Sequence, residues 1–355
     1  MKLIHTSDLH IDSPLTSRLS PEKVRERRAE LFATFTAMVE RAVASGVSAI
    51  IIAGDLFDSE RISKSSRSRA LALIEGHPTV SFFYLPGNHE RGALLCGGAT
   101  IPKNLFVFGE GWTYFSAGEV MIAGRSETSR DMFDTLYLQK DKKNIVVLHG
   151  ELRDRSEAGG IIGRRDARDR GIDYLALGHY HGYREEEIDR RCSAVYCGTP
   201  EGRGFDETGE KGFSLVEVTG AGVSHRFLRF ARRLLHEIEV DVTGIREVYS
   251  LERRVEDALS PISSSDLVRV RLVGYHPVGV KPNAEALRTR FLARYYSFEV
   301  KDETRLMISA SDYEHDKTLK GEFIRLVMAD ASLSEEMKDK IISCGLEALM
   351  GGEDA

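Results

Sequence analysis

The sequence is short of the features that mark a secreted, membrane-bound or broadly nucleic-acid-coating chain. Its four cysteines, Cys96, Cys192, Cys197 and Cys344, include no CxxC pair, so free thiols in a reducing compartment are the expectation. No apolar run reaches the length needed to cross a bilayer, and no membrane partner is expected. The opening MKLIHTSDLH lacks the regions of a signal peptide and reads as a strand that starts at once; a cytoplasmic protein is expected. An overall excess of basic charge is also missing. The net charge is −6, which excludes a chain that is basic all over but leaves room for a local basic surface. Arginines cluster at Arg25, Arg27 and Arg28, at Arg164, Arg165, Arg168 and Arg170, and at Arg232 and Arg233, mostly interleaved with acids. Solvated charged faces are the plain reading of such clusters.

What is present is a chain of 355 residues, enough for one large domain and one smaller one. Its first two-thirds alternates strand and helix signals. Residues 1–6 form a short apolar run. Ser20 and Pro21 then open a helix as N-cap and first helical residue. Leu31, Phe35, Met38, Val39 and Val43 carry a 3.6-residue pattern that stops at Gly46. The runs at 48–55, 80–88, 143–149 and 173–179 are continuously apolar and end in polar or Gly-rich turns, as strands buried on both faces do. Segments 105–108 and 119–124 read as closely spaced, antiparallel strands, and 194–197 and 212–218 as further strands. After about Phe230 the pattern becomes half-exposed alternation, in HEIEVDVTG and DLVRVRLVGY, with helical signals at 247–259 and 283–293. Two helices, at roughly 317–330 and 333–350, end the chain. Ser332-Leu333-Ser334-Glu335 has capping-box spacing before the last one. Met337, Ile341, Ile342, Leu346 and Leu349 form its apolar stripe.

The chemistry lies in the turns that end the buried runs. The first is followed by Asp8 and His10, the second by Asp55, the third by Asn88 and His89. The fourth ends at His149, and the fifth is followed by His179 and His181. Functional groups gather beyond the carboxyl ends of parallel strands, so five strand ends bring carboxylate, imidazole and amide groups to one edge. That donor set suits divalent ions such as Mn²⁺, Fe²⁺ or Zn²⁺. Gly54, Gly87 and Gly178 let the backbone reverse beside them. Any one of these motifs occurs by chance in loops; five in order, each behind a buried strand, point to a metal centre. The remaining histidines, His5, His77, His225, His236, His276 and His315, read as surface or core residues, with His5 packed or hydrogen-bonded inside the first strand.

The set DLH, GDLFD, GNHE, a lone His and GHYH resembles the calcineurin-like metallophosphoesterase superfamily over about residues 1–230. The resemblance implies a four-layer αββα sandwich with two divalent metal ions, Mn²⁺ by preference. Asp8, His10, Asp55 and His181 would hold one ion, and Asp55, Asn88, His149 and His179 the other, with Asp55 bridging. It also implies a metal-bound hydroxide attacking a phosphodiester in line, and His89 as the group that donates to the leaving oxygen. Asp58 would pair with His89; capping the following helix is the plain alternative. No other cofactor is implied.

Within the superfamily, IHTSDLHIDSP, GDLFD and GTPEGRGFDETGEKGFSLVEV (198–218) resemble the DNA-repair exonucleases of SbcD type, in their YhaO-like bacterial branch. The implied organisation is a nuclease domain at 1–232, a smaller α/β capping domain at 233–314 and a C-terminal helical segment at 315–355. The implied partners are DNA and an SMC-like ABC ATPase gripped by the C-terminal helices; a homodimer stays an open alternative. Two departures stand out: the prolines frequent after GDLFD are missing, and some relatives carry His where Asp58 stands. A phosphodiesterase or phosphatase on small molecules, and a non-catalytic binding protein on the same fold, remain alternatives to a DNA exo/endonuclease.

Overall fold

The first apolar run becomes β1 (Lys2–Thr6) in a computed structural model that describes residues 1–15, 19–59, 62–90, 94, 100–277, 282–307, 313 and 315–350. The chain divides into two compact units, Met1–Leu235 and His236–Ala355.

In the first unit, α1 (Pro21–Ala44) starts where the sequence predicts, with Ser20 Oγ accepting from Lys23 N at 3.3 Å. Leu31, Phe32, Phe35, Met38, Val39 and Ala42 make its buried face. Val43, expected on that stripe, is exposed, because Ala42 occupies the inward position of the last turn. Then come β2 (Ala49–Ala53), α2 (Lys64–Glu75), β3 (Ser81–Leu85), β4 (Leu105–Val107), β5 (Thr113–Ala117), β6 (Val120–Gly124), β7 (Lys143–His149), β8 (Glu151–Arg153), β9 (Ile161–Gly163), α3 (Arg164–Ala167), β10 (Tyr174–Gly178), β11 (Arg184–Glu187), β12 (Ser193–Tyr196), β13 (Gly212–Thr219) and β14 (Gly222–Arg229).

Two six-stranded sheets result, ordered β14-β13-β1-β2-β3-β4 and β11-β12-β10-β7-β6-β5. β1 to β4 run parallel, as do β6, β7, β10 and β12. Alternation sorts each strand's side chains. Leu3, Ala49, Ile51, Phe83, Ile145, Val147, Tyr174 and Val195 meet between the sheets. Ile4, Ile50, Ile52, Phe82 and Tyr84 face α1 and α2. The outer face of the second sheet, with Val146, Leu148, Leu175 and Leu177, packs under Met132, Phe133, Ile162, Ala167 and Ile172. That fourth layer holds short helical turns and the two-stranded β8–β9 sheet rather than long helices. Fully burying side chains of this size contributes about 1.5–3 kcal/mol each, so four layers with three apolar seams are well supported.

Segments 105–108 and 119–124 do not pair with each other. β4 joins β3 in the first sheet, whereas β6 pairs antiparallel with β5 in the second. The intervening β5 is the turnaround between the sheets, and its partly exposed residues hid it from an apolar-run search.

The second unit carries β15 (Leu235–Asp241), α4 (Val248–Leu259), β16 (Leu267–Val273), β17 (Tyr275–His276), α5 (Ala284–Leu292), β18 (Ser297–Asp302), β19 (Arg305–Leu306), α6 (Leu319–Ala329) and α7 (Glu335–Met350). Val240, Val268, Val270, Leu272 and Phe298 back onto Leu251, Val255, Leu259, Leu287 and Phe291 from α4 and α5. In α7, Ile342 and Leu346 of the predicted stripe pack with Ile324 of α6 and Leu306, while Met337 is exposed. The α7 cap is Ser334, whose Oγ accepts from Met337 N at 3.3 Å. Ser332 instead donates to Asp330, with its Oγ at 2.6 Å from Oδ1, so the predicted cap slips by two residues. Among the described residues, no helix is long and apolar enough to cross a membrane. Cys192, Cys197 and Cys344 are free; Cys96 lies outside the described residues.

Candidate metal centre

Five loops converge where the parallel strands of both sheets end. β1, β2 and β3 of the first sheet lead to Asp8 and His10, to Asp55, and to Asn88 and His89. β7 and β10 of the second sheet lead to His149, and to His179 and His181. The site therefore spans the C-terminal ends of two sheets, not one edge.

The loops lock together through their backbones. Asp8 N donates to Gly54 O, and His10 N to Asp55 O, both at 3.0 Å. His179 N donates to both carboxylate oxygens of Asp8 at 3.1 Å, and His89 N to Asp55 Oδ1 at 3.2 Å. Each aspartate is thus aimed by the backbone of another ligand loop. The buried Glu90 carboxylate accepts from Leu56 N at 2.9 Å and Phe57 N at 3.0 Å, which ties the GNHE loop to GDLFD. Burial pushes its carboxyl up to about 7, against those bonds and one from Tyr84.

Crowding accounts for the glycines and for unusual backbone angles. A Cβ at Gly54 would overlap the His149 ring, and one at Gly87 would overlap the Asp55 carboxylate. Seven described non-glycine residues have positive φ, and four of them, Asp8 (51°), His10 (45°), Asp55 (50°) and His179 (111°), are predicted ligands. Such conformations cost on the order of 1–3 kcal/mol each and persist where the surroundings over-determine them.

Two groups of donors come within 4.8 Å of one another: Asp8, His10 and His181, and Asp8, Asp55 and His149. Asp8 is common to both. Asp55 belongs to the second group alone, with Oδ2 3.3 Å from His149 Nε2 and 3.9 Å from His10 Nε2 of the first. Asn88 Oδ1 lies 2.9 Å from His149 Nε2. The His179 ring stands edge-on to His149 with centroids 5.5 Å apart, outside both tight groups. His89 borders the cluster with its side chain 48% exposed and Nε2 3.9 Å from Asp55 Oδ2.

The imidazoles share one orientation. His149 Nδ1 donates to the Ala53 carbonyl at 2.9 Å, His10 Nδ1 faces Asp58 Oδ1 at 2.9 Å, and His181 Nδ1 faces Glu207 Oε1 at 2.7 Å. An outside carbonyl holds His149, carboxylates stand behind His10 and His181, and each Nε2 is thereby turned toward the cluster. His10 Nε2 and His181 Nε2 come within 3.3 Å of each other, a hydrogen bond when either carries the proton. Burial would raise Asp55, but the hydrogen bond from His149 and the charges of His149, His10 and His89 outweigh it and hold the carboxyl at about 2. Burial would lower His149, yet Asp55 and Asp8 hold it up at about 9. The pocket favours cations, and a divalent ion competes with the proton for the same lone pair. Oxygen and imidazole donors of this kind fit a divalent metal centre.

Asp58 has neither of its predicted partners. α2 is capped by Ser63, whose Oγ accepts from Ser66 N at 3.0 Å. Asp58 itself contacts His10 and accepts from Arg203 Nη1 at 2.6 Å, while His89 acts on it only through charge. Glu207 and Arg203 escaped the sequence reading because Glu and Arg in a Gly-rich stretch look solvated. Their spacing, four residues apart in the Gly-rich stretch after β12, was the available signal. The other histidines find local partners: His5 with the Tyr174 hydroxyl at 2.9 Å, His77 with Leu73 O at 2.7 Å and His236 with Asp266 at 2.9 Å.

Among curated proteins, the chain is 29% identical over 324 residues to the uncharacterized metallophosphoesterase YhaO of Bacillus subtilis, covering 85% of this chain and 79% of that one. It is 26% identical over 271 residues to the DNA double-strand break repair protein Mre11 of Haloferax volcanii, covering 72% of this chain and 58% of that one. Among solved structures, TT1561 of Thermus thermophilus aligns with a TM-score of 0.41 at 13% identity, over 64% of this chain and 99% of that one. Residues 1–183 match calcineurin-like phosphoesterase. With that match falling on the strands and loops that carry the donor cluster, the chain belongs to the calcineurin-like phosphoesterase family and is a phosphoesterase hydrolase.

Proposed function

We propose that this phosphoesterase is a cytoplasmic two-metal DNA exo/endonuclease of DNA repair. The observation that carries the reading is the asymmetry of the site. Asp8, His10, Asp55 and His149 are at most 5% exposed, whereas Asn88, His89 and His179 form an exposed rim. A centre closed behind and open in front admits a phosphodiester that belongs to a large polymer. Names among the relatives support DNA as the substrate, since the Haloferax volcanii protein is a DNA double-strand break repair protein.

Asp8, His10, Asp55 and His181 would hold one ion, and Asp55, Asn88, His149 and His179 the other, with Mn²⁺ preferred and Fe²⁺ or Zn²⁺ able to replace it. When bound, such ions polarise the phosphoryl oxygens and lower the pKa of water. Asp55 would bridge the two ions. His89 reaches in from the rim and gives its proton to the leaving oxygen. Asp58 acts behind His10.

The segments expected at 233–314 and 315–355 would cap the DNA and dock an SMC-like ABC ATPase, respectively. Leu319, Leu326 and Met337 are exposed on α6 and α7 and supply the apolar contacts this docking needs. Deleting 332–355 should abolish ATPase co-purification and leave intrinsic nuclease activity unchanged; retained co-purification with a large drop in melting temperature would assign α7 to the fold alone.

The deciding assay compares Mn²⁺-dependent degradation of linear DNA with hydrolysis of bis-p-nitrophenyl phosphate. DNA degradation that Asp55→Ala abolishes supports the nuclease. Diester hydrolysis without DNA degradation would identify a small-molecule enzyme, and metal binding without hydrolysis a binding protein.

A further inference from the structure

The two donor groups differ in what stands behind their imidazoles. Behind His149 is a neutral acceptor, the Ala53 carbonyl. Behind His10 and His181 are two carboxylates, Asp58 and Glu207, and one guanidinium joins them. Arg203 donates through Nη1 to Asp58 Oδ1 at 2.6 Å, and through Nη2 and Nε to Glu207 Oε1 at 2.7 and 3.0 Å. Its backbone N donates to Glu207 Oε2 at 2.7 Å. Arg203 Nη2 also lies 3.3 Å from His181 Nδ1. The carboxylate at 2.7 Å fixes the proton on that nitrogen, so the guanidinium is a neighbour there and not its donor.

The clasp is deeply set. Glu207 is 3% exposed. Lys211 Nζ, also buried, donates to His181 O at 2.8 Å and pins the other side of the same residue. Farther along the loop, the buried Glu201 accepts from Arg27 Nη1 at 2.9 Å, Thr34 Oγ1 at 3.0 Å and Arg232 N at 2.8 Å. The loop is therefore anchored independently of the imidazoles it supports. Two carboxylates and one guanidinium leave a net single negative charge behind the His10–His181 pair. A carboxylate behind a ligand imidazole raises its basicity and fixes its tautomer, and losing such a partner typically costs 10- to 100-fold in metal affinity.

We infer that Glu207 and Arg203, with Asp58, are positioning residues for one ion only: they set the affinity of the Asp8–His10–His181 subsite and leave the Asp55–His149 subsite to its carbonyl-backed imidazole. The inference rests on the two-ion reading of the site, and the wild-type stoichiometry tests that reading first. Mn²⁺ bound by the full-length chain is measured by equilibrium dialysis with elemental analysis, alongside low-temperature electron paramagnetic resonance. The wild type should take up two ions and show the signal of a spin-coupled pair; a single ion would overturn the two-ion reading itself. Glu207→Gln, which keeps an acceptor oxygen but loses the charge, should weaken one binding step. Glu207→Ala should weaken that step further, by roughly 10- to 100-fold. In both variants the other step stays at its wild-type value, and at intermediate Mn²⁺ the coupled signal gives way to that of isolated ions. Arg203→Lys should lie between wild type and Glu207→Ala. If Glu207→Ala does not fold, Glu207→Gln and Asp58→Asn carry the same readout. Equal weakening of both steps would show a general structural role and overturn the inference, as would unchanged affinities in folded variants.

Discussion

Two charged clusters in this molecule are built on opposite plans. On the exposed face of β15, β16 and β18, Arg269 lies 3.1 Å from Glu237 and 3.0 Å from Glu299, and Arg271 lies 3.3 Å from Glu239 and 2.5 Å from Glu303. Each cation has its anions beside it on a half-exposed face, and the face asks for nothing more. At the ends of β1, β2, β7 and β10, two aspartates and inward-turned imidazoles are crowded out of water onto positive-φ backbone. Among the described residues, the charges set against these carboxylates are those of the imidazoles, with the Arg203 guanidinium behind them. A sheet face that balances its own charge is a surface. A buried cluster whose balance has to come from outside the chain is a binding site.

The sharpest break of this comparison is Asp55→Ala. On the proposed reading its carboxylate bridges the two ions, so metal content by elemental analysis and phosphodiesterase activity should be lost together; two ions retained in a folded variant would contradict its bridging place. Next is His89→Ala, on the exposed rim. It should keep both ions and lose roughly two to four orders of magnitude in turnover, the usual contribution of a general acid; near wild-type kcat would remove His89 from the chemistry.

A smaller effect comes from His5, an imidazole buried between the sheets with no anion to balance it. Burial lowers its pKa to about 3. The folded value is below that of the unfolded chain, so the unfolded chain takes up the proton first as pH falls below about 6.5. Stability is full above that pH and declines toward pH 3, with a slope from this group of at most about 1.4 kcal/mol per pH unit. Comparing the pH dependence of urea unfolding in wild type and His5→Gln should show that slope disappear; identical slopes would contradict it. The smallest effect belongs to Arg271→Ala on the self-balanced face. Solvent-exposed pairs contribute about 0–1 kcal/mol, so the melting temperature should barely move, and a large drop would mean that this face is more than a solvated surface.

The candidate site residues were readable because metal chemistry restricts the residue types after a strand, and Asp8, His10, Asp55, Asn88, His89, His149, His179 and His181 have little packing use there. The strands themselves were readable as runs such as AIIIA, apolar on both faces. Which strand joined which sheet was not, because β4 and β6 carry the same kind of short apolar run and only tertiary pairing separates them. The support behind the ligands was equally hidden. Arg27 looked like one member of a solvated arginine cluster, yet it is 2% exposed and bonded to Glu201 and Glu30. Burial of such charges depends on partners about 170 positions away, which no local pattern contains. Asp58 could be read only against its neighbours in sequence, and its real partner His10 lies in another loop.

The pairing of β1 also has a consequence for how the protein is made. β1 is an interior strand, flanked by β2 on one side and by β13 on the other, with Lys2 opposite Glu217 and the terminal ammonium donating to Val218 O at 2.7 Å. During synthesis β1 therefore waits for nearly the last strand of its unit. At synthesis rates of about 5–20 residues per second, that wait is roughly ten to forty seconds. During it, one edge of the nascent sheet stays unpaired and the His181–Glu207 contact does not yet exist. The support behind the Asp8–His10–His181 group is thus completed only near the end of the first unit's translation, and slowing the ribosome between codons 50 and 210 should lower the yield of soluble protein while leaving the properties of the molecules that mature unchanged.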